Sequence, residues 1–410
     1  MQPVSSLVCP SAPESRIVRR RRRLQAFAPP YRRPISVLTA SSTALEDLAD
    51  SFPALLFALA TGYGTSRVRA ATLDAIEDGA ALKVASTALG LPMWMRRVPT
   101  QALLCHLPPL PNDVEFRTTM TSRMPSNPSE CGLWLDRVCM ALELVGRDFA
   151  LWVAREPRML PPLTSDEDLQ WIMAWAWASC HPASPGHRIL RTGWSPDIGW
   201  KKARDDIAVW KKRIDLVGAL AGEPRDAWFE DATVQGLQIV HLQSAQDFIA
   251  ESMAMDNCLD QYAAHLAYGR VRIFSVRRDG RSIADVELTQ RADEVTMACV
   301  SQIRGPRNRR APPAVWQAVH AWLGAQPFRA IAISPTPTSA TREALKALWK
   351  PYAHALIAAG LAQRIGAPVL GLKVRSPRST PAVPVMATTT PRTPRGPLTV
   401  EGLSAAGDRS

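Results

Sequence analysis

Four residues of this chain, Glu251, Met255, Cys258 and Tyr262, recur at intervals of four, three and four, the spacing that lines side chains along one face of a helix. A carboxylate, a thioether, a thiol and a phenol aligned in this way belong against a core or in a cleft. Within reach of a cleft, Cys258 could serve as a nucleophile and Glu287 as a general base or as the acceptor for a substrate amine, supported by Gln302 and Asn308. Each has a structural alternative. A free cysteine is among the most buried residue types, so Cys258 also reads as an inert core thiol. A thiolate needs a base, a cation or a helix N-terminus beside it. His265 shares the stripe but stands roughly 10 Å along the axis at helical rise, which leaves His241 as the outside partner to consider.

The elements that would carry these residues follow from the change of period. Ser244 and Asp247 offer a cap for a helix that continues to Gly269. VRIFSVRR and RSIADVEL then flank Asp279-Gly280, the dipeptide preferred in a two-residue hairpin turn because both positions want positive φ. Counting back from that turn places Val271 opposite Leu288, Ile273 opposite Val286 and Ser275 opposite Ala284 on one face. Arg272 falls opposite Glu287 and Phe274 opposite Asp285 on the other. This register supplies the alternative reading of Glu287, a cross-strand ion pair with Arg272. A third strand, VTMACVSQIRG, puts Gln302 and Arg304 on one face, so Arg272, Glu287, Gln302 and Arg304 are expected to gather. The turn that follows holds Arg307, Arg309 and Arg310, and with Arg304 these side chains could grip phosphates or stand solvated. A helix over Pro313 to Leu323, the strand FRAIAIS and a helix near Thr341 to Ala359 complete the module.

Taken together, ESMAMDNCLDQY, GRVRIFSVRR, ADVEL and SQIRGPRN resemble the PcfJ-like family, whose pattern is approximately EG..M.HCV..Y, then G...I.S.R, ATIE and Q.RG..N. Glu251, Met255, Cys258, Tyr262, Gly269, Ser275, Arg277, Glu287, Gln302, Arg304, Gly305 and Asn308 fall on the family's positions with its spacing. Ser252 stands in place of the glycine, Asn257 of the histidine, Leu259 of the valine and Asp285 of the threonine. The family takes its name from a gene of a conjugative plasmid. The resemblance therefore implies an accessory protein of a bacterial plasmid or other mobile element, and implies no particular reaction.

The rest of the chain bounds the possibilities. With 410 residues, 46% of them apolar and 21% charged, it has enough apolar sequence for a sizeable core. The net charge of +12 is concentrated at the ends, +7 over residues 1–33 and +5 over 363–410. Those ends are expected to attract DNA or RNA in a salt-dependent way. Residues 1–40 read as a disordered basic arm, 41–230 as a mainly helical, Trp-rich region with Pro-rich loops, 231–362 as the PcfJ-like α+β module, and 363–410 as a disordered Pro/Arg/Thr-rich tail. The fold class is α+β: a helical N-terminal region, then a long helix, a three-stranded antiparallel meander and C-terminal helices.

Nine of the thirteen tryptophans fall between Trp134 and Trp228; they read as core, with base stacking or a protein-binding surface as the alternatives. Seven cysteines without a regular framework suit a reducing cytoplasm. Cys180, His181, His187, Cys131 with Cys139, and Cys105 with His106 are of metal-ligating types, but no CxxC pair anchors a zinc site, and neither a metal nor a cofactor is expected. No run approaches the roughly 20 apolar residues of a membrane span, so no membrane partner is expected. No phosphate loop, dinucleotide fingerprint or nucleophile elbow points to a common enzyme class.

Overall fold

Helix boundaries in the first half of the chain follow its prolines, glycines and small polar residues. The structure, a computed structural model, describes residues 16–159, 164–291, 297–327 and 330–365. These lie within the first of two units, Met1–Lys373 and Val374–Ser410, into which the contacts divide the chain. Helices α1 (Arg16–Gln25), α2 (Pro29–Ser41), α3 (Thr43–Ser51), α4 (Pro53–Thr61), α5 (Ser66–Glu77) and α6 (Leu82–Leu89) come first. Pro29 and Pro53 open their helices, where a missing N–H costs nothing, while α4 and α6 stop at left-handed Gly62 and Gly90.

The basic arm expected to be disordered over 1–40 is helical from Arg16 onward. Several of its arginines are engaged within the chain: Arg20 donates to the Ser36 carbonyl, Arg32 to the Phe27 carbonyl, and Arg23 pairs with Asp50. Residues 1–15 of that arm, and all but the first residues of the expected tail over 363–410, lie outside the described residues.

Helices α7 (Val114–Arg123), α8 (Pro128–Leu144), α9 (Arg147–Arg155), α10 (Asp166–Cys180), α11 (Pro185–Arg188) and α12 (Trp200–Ala219) continue the helical region. Ser165 caps α10 through a reciprocal bond with Asp168. The tryptophans pack rather than face solvent. Trp171, Trp210 and Trp349 meet edge to face with centroids about 6 Å apart, and Trp171, Trp175, Trp177, Trp210 and Trp228 are buried.

The module opens with a hairpin that lengthens the expected three-stranded meander to a five-stranded antiparallel sheet, β1 (Ala232–Val234), β2 (Leu237–His241), β3 (Val271–Arg278), β4 (Arg281–Gln290) and β5 (Ala298–Arg304), in sequence order. Gln235 and Gly236, both at positive φ, form the first turn. Between β2 and β3, α13 (Ala245–Met255) begins with the capping box of Ser244 and Asp247. It does not continue to Gly269. Asp256 adopts left-handed φ/ψ and ends it, after which come a 3-10 turn at Leu259–Gln261 and the short α14 (Ala263–Ala267). The local cause is side-chain competition with the helical ladder. Ser252 Oγ donates to the Asn257 carbonyl at 2.7 Å, and Asn257 Oδ1 accepts from the Leu259 N–H at 3.2 Å. The expected helical stripe is thus broken between Met255, which is core, and Cys258.

The Asp279-Gly280 turn forms as expected, with Arg278 opposite Arg281. Four residues away, however, a bulge in β4 at Ile283 shifts the register by one. Phe274 now faces Val286, Ile273 faces Glu287, Ser275 faces Asp285, and Arg272 faces Leu288. One sheet face therefore carries Phe274, Val276, Ala284, Val286, Leu288 and Ile303, buried against Val315, Val319 and Trp322 of α15 (Pro313–Ala325). The other face carries Ile273 together with Ser275, Asp285 and Glu287, and packs on α13 and α14. Its apolar part merges with the core of the helical region through Leu242, Phe248, Leu259, Val271 and Ile273.

The last helix, α16 (Thr338–Ala358), adds Leu348, Trp349 and Tyr352 to that same core. Of the FRAIAIS segment, Phe328 and Arg329 lie outside the described residues, and 330–337 is irregular rather than a strand. Its backbone crosses Gly269 so closely that a Cβ at that position, at φ +71°, would run into the Ser334 backbone. This motif glycine is therefore required by both its backbone angle and its neighbour.

Candidate functional site

The one-residue shift separates Arg272 from Glu287. Arg272, 2% exposed, lies on the α15 side of the sheet, where it donates to the carbonyls of Asp226, Gly269 and Val271 at 2.6, 3.0 and 2.9 Å and stacks on Trp228. Burial, and then Arg225 nearby, lowers its pKa to about 10. The expected ion pair with Glu287 is not formed. His241 pairs with Phe274 on the same side, and burial, followed by the charge of Arg272, lowers its pKa to about 4. It is held neutral on the sheet face away from Cys258 and cannot be its base.

Glu287 instead faces a narrow cleft, open to solvent and with room for about 20 Å³, between the sheet and the 257–262 segment. Tyr262 Oη and Gln302 Nε2 both donate to Glu287 Oε2, at 3.0 and 2.6 Å, and Gln302 Nε2 also reaches Tyr262 Oη at 3.1 Å. Two donors occupy the lone pairs of Oε2 and leave Oε1 without a side-chain partner among the described residues. Burial and the Glu287 charge raise the Tyr262 pKa to about 12, so the phenol stays protonated and keeps donating. Arg304 Nε donates to Gln302 Oε1 at 3.1 Å, which orients the amide and leaves the guanidinium termini at the mouth of the cleft.

Across the cleft, Asn308 Nδ2 points at Cys258 Sγ at 3.9 Å, a weak contact. Cys258 is exposed, not the core thiol of the alternative reading. Asn308, and Asp256 two residues before Cys258, sit on strained corners. Asp256, Arg307 and Asn308 have φ of 49°, 56° and 56°, angles that non-glycine residues seldom adopt and that concentrate where function constrains the backbone. An exposed ion pair at 3.1 Å between Arg307 and Asp256 joins the two corners. At such exposure it contributes at most about 1 kcal/mol. Of the four candidate phosphate contacts, Arg304 and Arg307 are thus anchored within the module, while Arg309 and Arg310 are exposed and unpaired among the described residues. Gly305, at φ −86° with ordinary room around it, shows no structural demand for glycine.

Beneath the cleft lies a second polar layer. Glu251, 3% exposed, accepts from Ser275 Oγ at 2.8 Å and Ser282 Oγ at 2.9 Å, with Arg277 at 3.5 Å. Asp285 sits between this layer and the cleft; its Oδ2 accepts from Asn257 Nδ2 at 2.7 Å, while its buried Oδ1 has no donor among the described residues. Burial, with the Glu251 charge adding to it, raises the Asp285 pKa to about 8. A neutral Asp285 explains the geometry, because its proton can be directed at Glu251 and no carboxylate oxygen is then left bare. Asn257 and Asp285, two of the residues that depart from the family pattern, are therefore hydrogen-bonded to each other. Sequence reasoning noted both departures and did not foresee their contact, since 28 residues and a register shift separate them.

Of the twelve motif positions, Cys258, Tyr262, Glu287, Gln302, Arg304 and Asn308 line or face one cleft, and Glu251, Ser275 and Arg277 form the layer below it. Residues 223–319 match the family model described as PcfJ-like protein. No curated protein and no solved structure matches the chain. The PcfJ-like segment spans the whole sheet, α13, α14 and the first half of α15, so it contains the cleft, the layer beneath it and the apolar face that supports both.

Among the described residues, no group of three or more His, Cys, Asp or Glu side chains is placed to hold a metal ion, and no helix is long and apolar enough to cross a membrane. The thiols make a direct test of the geometry. Exposed Cys258 and Cys180 are expected to react with a maleimide in the native protein, ahead of buried Cys131, whose pKa burial raises, and Cys139, whose pKa a hydrogen bond with Cys105 and then burial raise. Peptide mapping of the label checks this, and a Cys258 that labels only after unfolding would contradict its placement.

Proposed function

We propose that the PcfJ-like segment is a binding module: its cleft holds a polar group rich in N–H donors, and the arginines beside the cleft contact nucleic-acid phosphates. The observation that carries the reading is the uncommitted Glu287 Oε1 in a cleft lined by motif side chains, next to the unpaired Arg309 and Arg310. The family resemblance extends the proposal to an accessory protein of a bacterial plasmid or other mobile element. In this reading the basic ends of the chain add non-specific attraction.

An enzyme built on Cys258 and Glu287 is the second reading, favoured by their sharing one cleft. Activation of the thiol lacks a partner. Among the described residues neither an imidazole nor a cation contacts the sulfur. Binding needs no such step.

Fluorescence anisotropy with a labelled single-stranded oligonucleotide tests the proposal. Affinity is expected to fall steeply with salt, the slope of log K against log salt shrinking by about 0.7 for each phosphate contact removed. Replacing Arg309 and Arg310 by Ala should therefore reduce the slope by about 1.4. An affinity indifferent to salt, or an unchanged slope in the double variant, would count against it.

A further inference from the structure

We propose that Cys105 and Cys139 form a reversible disulfide when the protein meets a hydroperoxide, Cys105 as the attacking thiol and Cys139 as the thiol that resolves it. The pair lies in the helical region, outside the PcfJ-like segment, and is independent of the binding function above. Packing brings the two sulfurs together. Cys139 is on α8, seven residues and two turns after Gly132 on one face of the helix. The chain leaving the 3-10 turn Thr100–Ala102 crosses α8 at that glycine, where a Cβ would stand 2.8 Å from Leu104 Cδ1 and 3.2 Å from the Ala102 Cα. Cys105 is the next residue of the crossing chain, and its thiol is hydrogen-bonded to that of Cys139.

Burial and charge divide the roles. Cys139 is fully buried, whereas Cys105 is 9% exposed between exposed Leu104 and His106, so a small oxidant meets Cys105 first. Arg364 hydrogen-bonds the Cys105 sulfur and pairs with Asp136, which lies one turn before Cys139 on α8. A cation at a sulfur favours the thiolate, the reactive form. The hydrogen bond with Cys105, and then burial, raise the Cys139 pKa, so that this thiol keeps its proton until its neighbour has reacted. Cys131, the other cysteine of α8, is roughly 12 Å from Cys139 along the axis and cannot bond to it.

In the first step the Cys105 thiolate attacks one oxygen of the hydroperoxide. The O–O bond breaks, the second oxygen leaves with the proton that Cys105 gave up, and Cys105 becomes a sulfenic acid. The Cys139 sulfur then attacks the Cys105 sulfur; the S–O bond breaks, and the hydroxide departs as water with the Cys139 proton. Two thiols have lost two electrons, and hydrogen peroxide has become two molecules of water.

The test treats the reduced full-length protein with hydrogen peroxide, removes the excess with catalase, blocks the remaining thiols and maps a non-reduced digest. Peptides joined through Cys105 and Cys139, and separated by dithiothreitol, are the expected product. The oxidised protein should melt about 5 °C higher, because the bond closes a loop of roughly 35 residues. Cys139→Ser should leave a sulfenic acid on Cys105 that dimedone traps, and Cys105→Ser should leave Cys139 unmodified. Arg364→Gln should slow the first step about threefold, a tenfold loss of thiolate being partly offset by its greater nucleophilicity. Mapping of the parent protein needs no substitution and decides the bond by itself. Peroxide that oxidises exposed Cys180 and Cys258 yet leaves Cys105 and Cys139 as thiols would overturn the proposal, as would a bond that forms only after unfolding. Dimedone on Cys139 in Cys105→Ser would overturn the division of roles, and an unchanged rate in Arg364→Gln would remove the arginine from the step.

Discussion

Replacing Arg213 by Ala is expected to destabilise the protein by about 3–5 kcal/mol, the cost of stranding one member of a buried ion pair. Arg213, on α12, has its side chain 1% exposed; Nε donates to Asp260 Oδ2 at 2.7 Å and Nη1 to the Ile189 carbonyl at 3.2 Å. Asp260, with a side chain 5% exposed, belongs to the 3-10 turn immediately after Cys258. The pair therefore ties the helical region to the segment that forms one wall of the cleft. With Arg213 gone, a carboxylate whose side chain is 5% exposed remains without its cation. Asp260→Leu combined with Arg213→Met removes both charges and should lose much less than the single change, because buried pairs are weak in net and costly only when broken. Denaturant unfolding of the two variants checks the ordering; a single variant costing under about 1 kcal/mol would mean that the pair does not hold the segment.

The second large effect concerns Asp285. Its pKa of about 8 in the folded protein lies above the 3.8 of an unperturbed aspartate. Between those values the folded chain holds a proton that the unfolded chain releases. Stability therefore falls as pH rises from about 4 to about 8 and levels off above, the reverse of the usual paired carboxylate. Asp285→Asn keeps the shape of the protonated acid, with a donor for Glu251 and an acceptor for Asn257, and removes the titration. The variant should be more stable than the parent by on the order of 5 kcal/mol at pH 8, and by much less at pH 5. Melting curves at the two pH values decide. A variant destabilised at pH 8, or a gain independent of pH, would show that Asp285 is charged in the folded protein. Because Asp285 is an acceptor for Asn257, which precedes Cys258, the same proton contributes to the shape of the cleft wall.

Much of the local structure was legible in the sequence because it depends on neighbours along the chain. Ser165 with Asp168 and Ser244 with Asp247 cap their helices, Gly90 ends α6, and Asp279-Gly280 makes its turn. These features need only a few residues to satisfy backbone groups or permit positive φ. The first hairpin was missed because Gln235-Gly236 lacks the usual Asn or Asp. The end of α13 was missed because Asp256 is no helix breaker by type. Its left-handed backbone is held by Ser252 and Asn257, and the segment beyond it by Asp260 bound to Arg213.

The sequence by itself determined that Glu287, Gln302 and Arg304 belong to one antiparallel sheet, and the motif spacing determined which residues to follow. Tertiary structure alone decided which way they face. A strand alternates with period two, so a single bulge at Ile283 was enough to carry Arg272 to one side of the sheet and Glu287 to the other. The bulge satisfies packing on both faces at once: Phe274 and Val286 meet Trp322, and Ser275 and Ser282 meet Glu251. Those partners come from helices dozens of residues away. No count from the Asp279 turn contains them, and the cleft exists because they are there.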